Sequence, residues 1–185
     1  MKRKKMFLIV IGCVLAVGFY LFQNMNENTV PVSKTWELTD EEIANIQLVG
    51  LSQDLDIKVE KVQGQTNQVV LKGNLPKSYA EKLSDIVPQK DKLLISFVNS
   101  LGFSMGKLSN HLLNITVYLS EENLLEELTV KSNRGDVTIH VPEGFERNYR
   151  LQTNNGNVTE PEVNYDVSKT ITVELGYGDI KIAKD

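Results

Sequence analysis

Two histidines are the only imidazoles this chain can offer to catalysis or to a metal, and they stand far apart, at His111 and His140. Neither has a neighbouring cysteine, an H-E-x-x-H spacing or a nucleophile elbow within reach, and His140 reads as a surface residue of a strand. The pairs Glu121-Glu122 and Glu126-Glu127 read as a solvated charge run beside a turn. A carbohydrate-active enzyme on a β-helix would need paired carboxylates in a cleft, and no pair stands out. One recurrence could supply oxygen ligands: Asp54, Asp136, Asn157 and Asp179 fall at equivalent places. Repeated Asp beside Gly lines the calcium-binding turns of some β-rolls, but those carry denser glycine and a nine-residue period. An Asn or Asp ladder that satisfies its own turn amides needs no ion. The sequence therefore assigns no catalytic residue, no metal ligand and no cofactor, and the chain is read as not an enzyme.

The elements that position these residues come from a repeat. Val130-Lys131-Ser132-Asn133-Arg134-Gly135-Asp136-Val137, Leu151-Gln152-Thr153-Asn154-Asn155-Gly156-Asn157-Val158 and Val173-Glu174-Leu175-Gly176-Tyr177-Gly178-Asp179-Ile180 are versions of one phrase. Their glycines are 21 and 22 residues apart, the length of one coil in a solenoid. The position five before the glycine is apolar in every copy (Val130, Leu151, Val173), as is the position two after (Val137, Val158, Ile180). Four after, the copies read Ile139, Glu160 and Ile182, so the middle copy breaks just before Pro161 and should be the loosest. A degenerate fourth copy spans Leu48 to Ile57, with Leu48, Leu55 and Ile57 on the core positions and Gln53 where the glycine would be. The repeat turns are Gly135-Asp136, Gly156-Asn157 and Gly178-Asp179, where Gly accepts positive φ and Asn or Asp bonds back to the backbone. A unit this short cannot bury its own apolar face and must be stacked on a neighbour. A leucine-rich repeat fits Leu125, Leu128, Val130 and Asn133 once and nowhere else.

Period-two alternation predicts strands near 45–50, 54–60, 67–73, 92–98, 112–119, 126–132, 136–141, 148–153, 170–175 and 179–183. Tyr79, Leu83 and Ile86/Val87 lie near helical spacing and predict a short amphipathic helix ended by Pro88. Thr39-Asp40-Glu41-Glu42 has capping-box spacing, and Trp36 before it either caps the open end of the stack or sits at a membrane interface. Leu101-Gly102-Phe103-Ser104-Met105-Gly106 is apolar and glycine-rich. Leu101, Phe103 and Met105 are a candidate interaction tip for a membrane or a partner, or fold back over a coil.

At 185 residues the chain has room for one domain and an appendage. Lys2, Arg3, Lys4 and Lys5 precede Met6 to Phe22, an uncharged run about 26 Å long as a helix and just enough to cross ~30 Å of hydrocarbon with some thinning. The basic residues keep the first five residues cytoplasmic and place the rest outside. Cleavage after Gly18 and lipid attachment at Cys13, in Val10-Ile11-Gly12-Cys13, are the competing readings. Cys13 is the single cysteine, so the part beyond it holds no disulfide. Setting aside the four cations at positions 2–5 leaves 16 Lys and Arg against 24 Asp and Glu, a net of −8, which speaks against nucleic acid as a partner. The organisation is thus a cytoplasmic stub at 1–5, a transmembrane signal-anchor helix at 6–22, a polar tether and cap at 23–42, and an extracytoplasmic domain at 43–185.

Gly135-Asp136-Val137-Thr138-Ile139, Gly156-Asn157-Val158 and Gly178-Asp179-Ile180-Lys181-Ile182 resemble the signature of the putative-adhesin family of bacterial cell-envelope β-strand-repeat proteins, over roughly Ile43 to Ile182. The resemblance implies a surface-exposed single-stranded β-solenoid, all-β and β-helix-like, often behind one membrane helix and associated with envelope stress. It implies no catalytic residues. Two functions are carried forward: a membrane-anchored, non-enzymatic binding module for an envelope component or membrane protein, and an envelope-stress sensor acting through a membrane partner. Edge-strand addition at an open C-terminal coil, Ile171 to Ile182, is a possible mode of capture.

Overall fold

The computed structural model describes residues 29–62, 64–98, 112–121, 124–162 and 167–185. Among them the chain forms β1 (Thr29–Leu38), α1 (Asp40–Ile43), β2 (Asn45–Leu51), β3 (Leu55–Lys61), β4 (Asn67–Pro76), α2 (Lys77–Asp85), β5 (Leu93–Ser96), β6 (Leu113–Leu119), β7 (Glu127–Arg134), β8 (Val137–Val141), β9 (Asn148–Thr153), β10 (Val158–Thr159), β11 (Thr170–Tyr177) and β12 (Ile180–Lys184). Each of the ten expected strands is present, with ends displaced by at most three residues. The helix expected from Tyr79 and Leu83 is α2, with those two side chains buried. Thr39 caps α1 through a reciprocal capping box with Glu42, which satisfies amides that the first helical turn leaves open.

The strands make two sheets. One has seven strands in the order β1-β4-β6-β3-β8-β12-β10, and the other five in the order β5-β2-β7-β11-β9. The five-stranded sheet is parallel throughout. In the larger sheet β4 runs antiparallel to both β1 and β6, and the remaining pairs are parallel. Between the sheets lies one cluster of buried apolar side chains. Its rows are set by register. Ile95, Leu48, Val130, Val173 and Leu151 are successive partners across the smaller sheet, and Leu113, Leu55, Val137 and Ile180 across the larger; Val158, the next partner in that row, is 43% exposed and stands outside the cluster. Full burial of such side chains contributes roughly 1.5–3 kcal/mol each. The degenerate copy is in register with the others: Leu48 opposes Val130, Leu55 opposes Val137 and Ile57 opposes Ile139.

The single-stranded β-solenoid is corrected by the order of the strands. In a chain winding coil on coil, Val130, Leu151 and Val173 would neighbour one another in that order. Instead β11 lies between β7 and β9, and β12 between β8 and β10, so Val173 is flanked by Val130 and Leu151. The pair β2/β3 likewise lies between β5/β6 and β7/β8. The architecture is two facing sheets of interleaved rungs, with an antiparallel hairpin-like pair on one edge. The physical reason is in the Gly156 copy. Glu160 and Pro161 cannot serve a strand with neighbours on both sides, so that copy takes the outermost position, where β10 shrinks to two residues.

Two further expectations change. Residues 29–38, read as part of a tether, form β1, whose partner is β4; Pro31 is tolerated because β1 is an edge strand. Trp36 is buried, 4% exposed, with Nε1 donating to the Ile86 carbonyl at 3.0 Å, so it belongs to the cap on this edge. The anchor at Met6–Phe22 lies outside the described residues; among those described, no helix is long and apolar enough to cross a membrane.

Candidate functional site

The repeat turns stack on one another, with Gly156 not at positive φ. Gly135 and Gly178 have φ of +113° and +132°, a region that only glycine enters without strain. A Cβ on Gly178 would lie 2.2 Å from the Gly135 carbonyl oxygen, and one on Gly135 2.2 Å from that of Gln53. The turns therefore stack backbone on backbone. Beside them runs a ladder: the Asp136 amide donates to Asp54 Oδ1 at 2.9 Å, the Asp179 amide to Asp136 Oδ1 at 2.9 Å, and the Asn157 amide to Asp179 Oδ1 at 2.7 Å. Each carboxylate is spent on the amide of the adjacent turn, a charge-assisted bond. The four residues singled out as possible ligands are brought together as a structural column, and no group of three metal-ligating side chains occurs among the described residues.

His140 sits on the outer face of the larger sheet. Its Nδ1 is 3.1 Å from Asp185 Oδ1 and its Nε2 3.6 Å from Asp56 Oδ1. Nearby, Lys58 Nζ pairs with Glu60 at 2.8 Å, and the hydrogen bond and charge of Glu60 raise the Lys58 pKa above the usual lysine value. Neither of the two hollows described below is lined by these residues. His111 and the candidate tip at Leu101, Phe103 and Met105 lie outside the described residues.

The outer face of the five-stranded sheet is different. Register places Gln47, Thr129, Thr172 and Arg150 in one outward row, and Val49, Lys131, Glu174 and Gln152 in the next. Over these rows lies a hollow of about 630 Å³. It adjoins a second, of about 390 Å³, that shares Val49, Lys131, Gln152 and Glu174. Lys131 Nζ meets Glu174 Oε1 at 3.0 Å, with both side chains about half exposed, so the pair contributes little stability, ~0–1 kcal/mol, and can be opened by a ligand. Arg150 is exposed at the end of its row. The lining is hydroxyl, amide and both signs of charge, with Val49 and Leu151 among them, over a sheet whose backbone is already paired. Such a surface can exchange hydrogen bonds with a long polar partner. Sequence reasoning missed these residues, although the signal existed: they occupy the positions four and six before each glycine, polar in all three copies.

No family model matches the chain, and no curated protein is similar to it in sequence. Solved structures align with the chain at low identity and low TM-score. A putative cell adhesion protein from Clostridium sporogenes superposes with a TM-score of 0.39 and 12% identity, over 84% of this chain and all of the other. A putative lipid binding protein from Parabacteroides distasonis gives 0.36 and 16%, over 86% of this chain and 63% of the other. A putative adhesin from Parabacteroides merdae gives 0.33 and 11%, over 84% and 58%.

Proposed function

We propose that this chain is a non-enzymatic binding module of the bacterial cell envelope, held to the membrane by Met6–Phe22 and facing outward, with the outer face of the five-stranded sheet as its recognition surface. The observation that carries the reading is the broad polar hollow built from β2, β7, β11 and β9, in which Gln47, Thr129, Thr172, Arg150, Lys131 and Glu174 stand in register. Adjacent parallel strands lie about 4.8 Å apart, so the rows present hydrogen-bonding groups at a fixed repeat, suited to an extended polar polymer or peptide. The net charge of −8 beyond the first five residues keeps nucleic acid out of the reading.

The test is co-sedimentation of the full chain, in detergent, with insoluble bacterial envelope material. Thr172→Trp fills the centre of the hollow from an outward position and should weaken sedimentation at least tenfold without lowering the melting temperature. Lys72→Glu, on the other sheet, should leave it unchanged. Equal retention of all three proteins would exclude this face. Exchanging Met6–Phe22 for an unrelated anchor should leave binding intact.

A further inference from the structure

The two ends of the stack are finished differently. At one end the β1–β4 pair and α2 cover the core, and Trp36, Leu38 and Tyr79 are each no more than 6% exposed. At the other end β9 and β10 have no outer neighbour among the described strands. Edge strands are commonly protected by Pro, by charged side chains or by being short. β1 carries Pro31, Lys34 and Glu37, β5 has four residues, and β10 has two and runs into Glu160-Pro161. β9 is six residues long, Asn148–Thr153, with no Pro and with Arg150 as its one charged side chain. Its inward Leu151 is half-buried, whereas Val173 and Val130, one and two rungs in, are fully buried.

We infer that β9 is an interaction edge and that its partner is the β9 of a second copy of this chain, paired antiparallel. The amides of Asn148 and Asn154 donate to the carbonyls of Lys169 and Leu175, on the β11 side, so the even-numbered residues of β9 point their backbone groups inward. Leu151 and Thr153 point theirs at the open edge. With Leu151 opposite Leu151 on a two-fold axis, Arg150 of each copy faces Gln152 of the other, a guanidinium against an amide oxygen. A register shifted by two toward the N-terminus sets Arg150 against Arg150, and like charges directly opposite are destabilising. The favoured register therefore completes the burial of Leu151, extends the row and opposes no like charges, which makes the edge complementary to itself.

Even-numbered residues then form the non-hydrogen-bonded pairs, with Cα atoms about 4.5 Å apart, inside the span a disulfide bridges, about 4.4–6.8 Å. In a Cys13→Ser background, full-length Arg150→Cys and Gln152→Cys proteins are mixed in detergent and oxidised. The mixture should give at least fivefold more covalent dimer than either alone or than Lys72→Cys on the other sheet. Leu151→Lys, added to both, should abolish that excess, and in the otherwise natural chain it should convert a dimer to a monomer by light scattering. A natural chain that is monomeric at all concentrations, a dimer that survives Leu151→Lys, or a mixture no better than the controls would each overturn the proposal.

Discussion

Replacing Gly178 by alanine separates two costs that the fold imposes on its turns. The first is conformational: at φ +132°, outside the left-handed helical region, a Cβ costs about 1–3 kcal/mol. The second is contact. The new carbon would lie 2.2 Å from the Gly135 carbonyl oxygen and 3.1 Å from Asp136 Oδ1, both in the neighbouring turn, so the two turns must part by about 1 Å to reach ordinary van der Waals separation. Parting them stretches the 2.9 Å bond from the Asp179 amide to Asp136, whose loss costs about 1.5–3 kcal/mol. Together Gly178→Ala should destabilise by about 2.5–6 kcal/mol. Gly144 supplies the control: its φ is +81° and nothing lies within 4 Å of its Cβ position. Gly144→Ala therefore keeps the first cost without the second and should lose about 1–2 kcal/mol. Gly156→Ala does the reverse, since its φ is not positive but its Cβ would lie 1.9 Å from the Gly178 oxygen; being on the outermost rung it can swing away, and about 2–3 kcal/mol is expected. Urea unfolding of the full chain measures all three. Equal losses for Gly178→Ala and Gly144→Ala would refute the backbone-on-backbone stacking.

Other substitutions test other parts. Asp136→Asn keeps the oxygen that accepts from Asp179 and should cost less than about 1 kcal/mol, whereas Asp136→Ala should cost about 1.5–3 kcal/mol by the same unfolding assay. Gln53 is fully buried and neither its Nε2 nor its Oε1 has a hydrogen-bond partner among the described residues; Gln53→Met should raise stability by about 1 kcal/mol or more, and a loss would show that the amide is satisfied in solution. Arg147, 5% exposed, donates to the Glu146 and Leu125 carbonyls at 2.6 and 2.7 Å and lies 3.9 Å over the Phe145 ring. Arg147→Met leaves those carbonyls without their donor and should cost about 3 kcal/mol. Because the turn carboxylates are spent on amides, millimolar calcium should leave the melting temperature unchanged, and a clear rise would reassign Asp54, Asp136 and Asp179 as ligands.

The positions facing the core were legible because strand periodicity is local. Val130, Leu151 and Val173 share one row, and Leu48 joins it despite Gln53 standing in for glycine. The order of the rungs was not legible in the same way. Equivalent positions state what faces inward, not which rung is next, and the connections between copies are long enough to reach past a neighbour. The hint lay in Glu160 and Pro161, which read as a loosened middle coil when they mark an outermost one. β1 was hidden by a similar misreading. Val30, Val32, Trp36 and Leu38 alternate with polar residues, but Pro31 and the asparagines before it suggested a tether. The interior placement of β11 and β12 also removes the open C-terminal coil at Ile171 to Ile182 and transfers the free edge to β9. The proposed recognition face escaped because its residues are ordinary polar side chains, and only the stacking order joins Lys131, Glu174 and Gln152 into one surface.

That order can be read from cysteine pairs on the face itself. Adjacent parallel strands set these positions about 4.8 Å apart and next-but-one strands about 9.6 Å, and only the former is within disulfide reach. In a Cys13→Ser background, Lys131→Cys with Glu174→Cys, and Glu174→Cys with Gln152→Cys, should each close an intrachain disulfide under mild oxidation, and Lys131→Cys with Gln152→Cys should not. A disulfide that forms readily in the last pair and fails in the first would restore the chain-sequential stack and dismantle the proposed binding face.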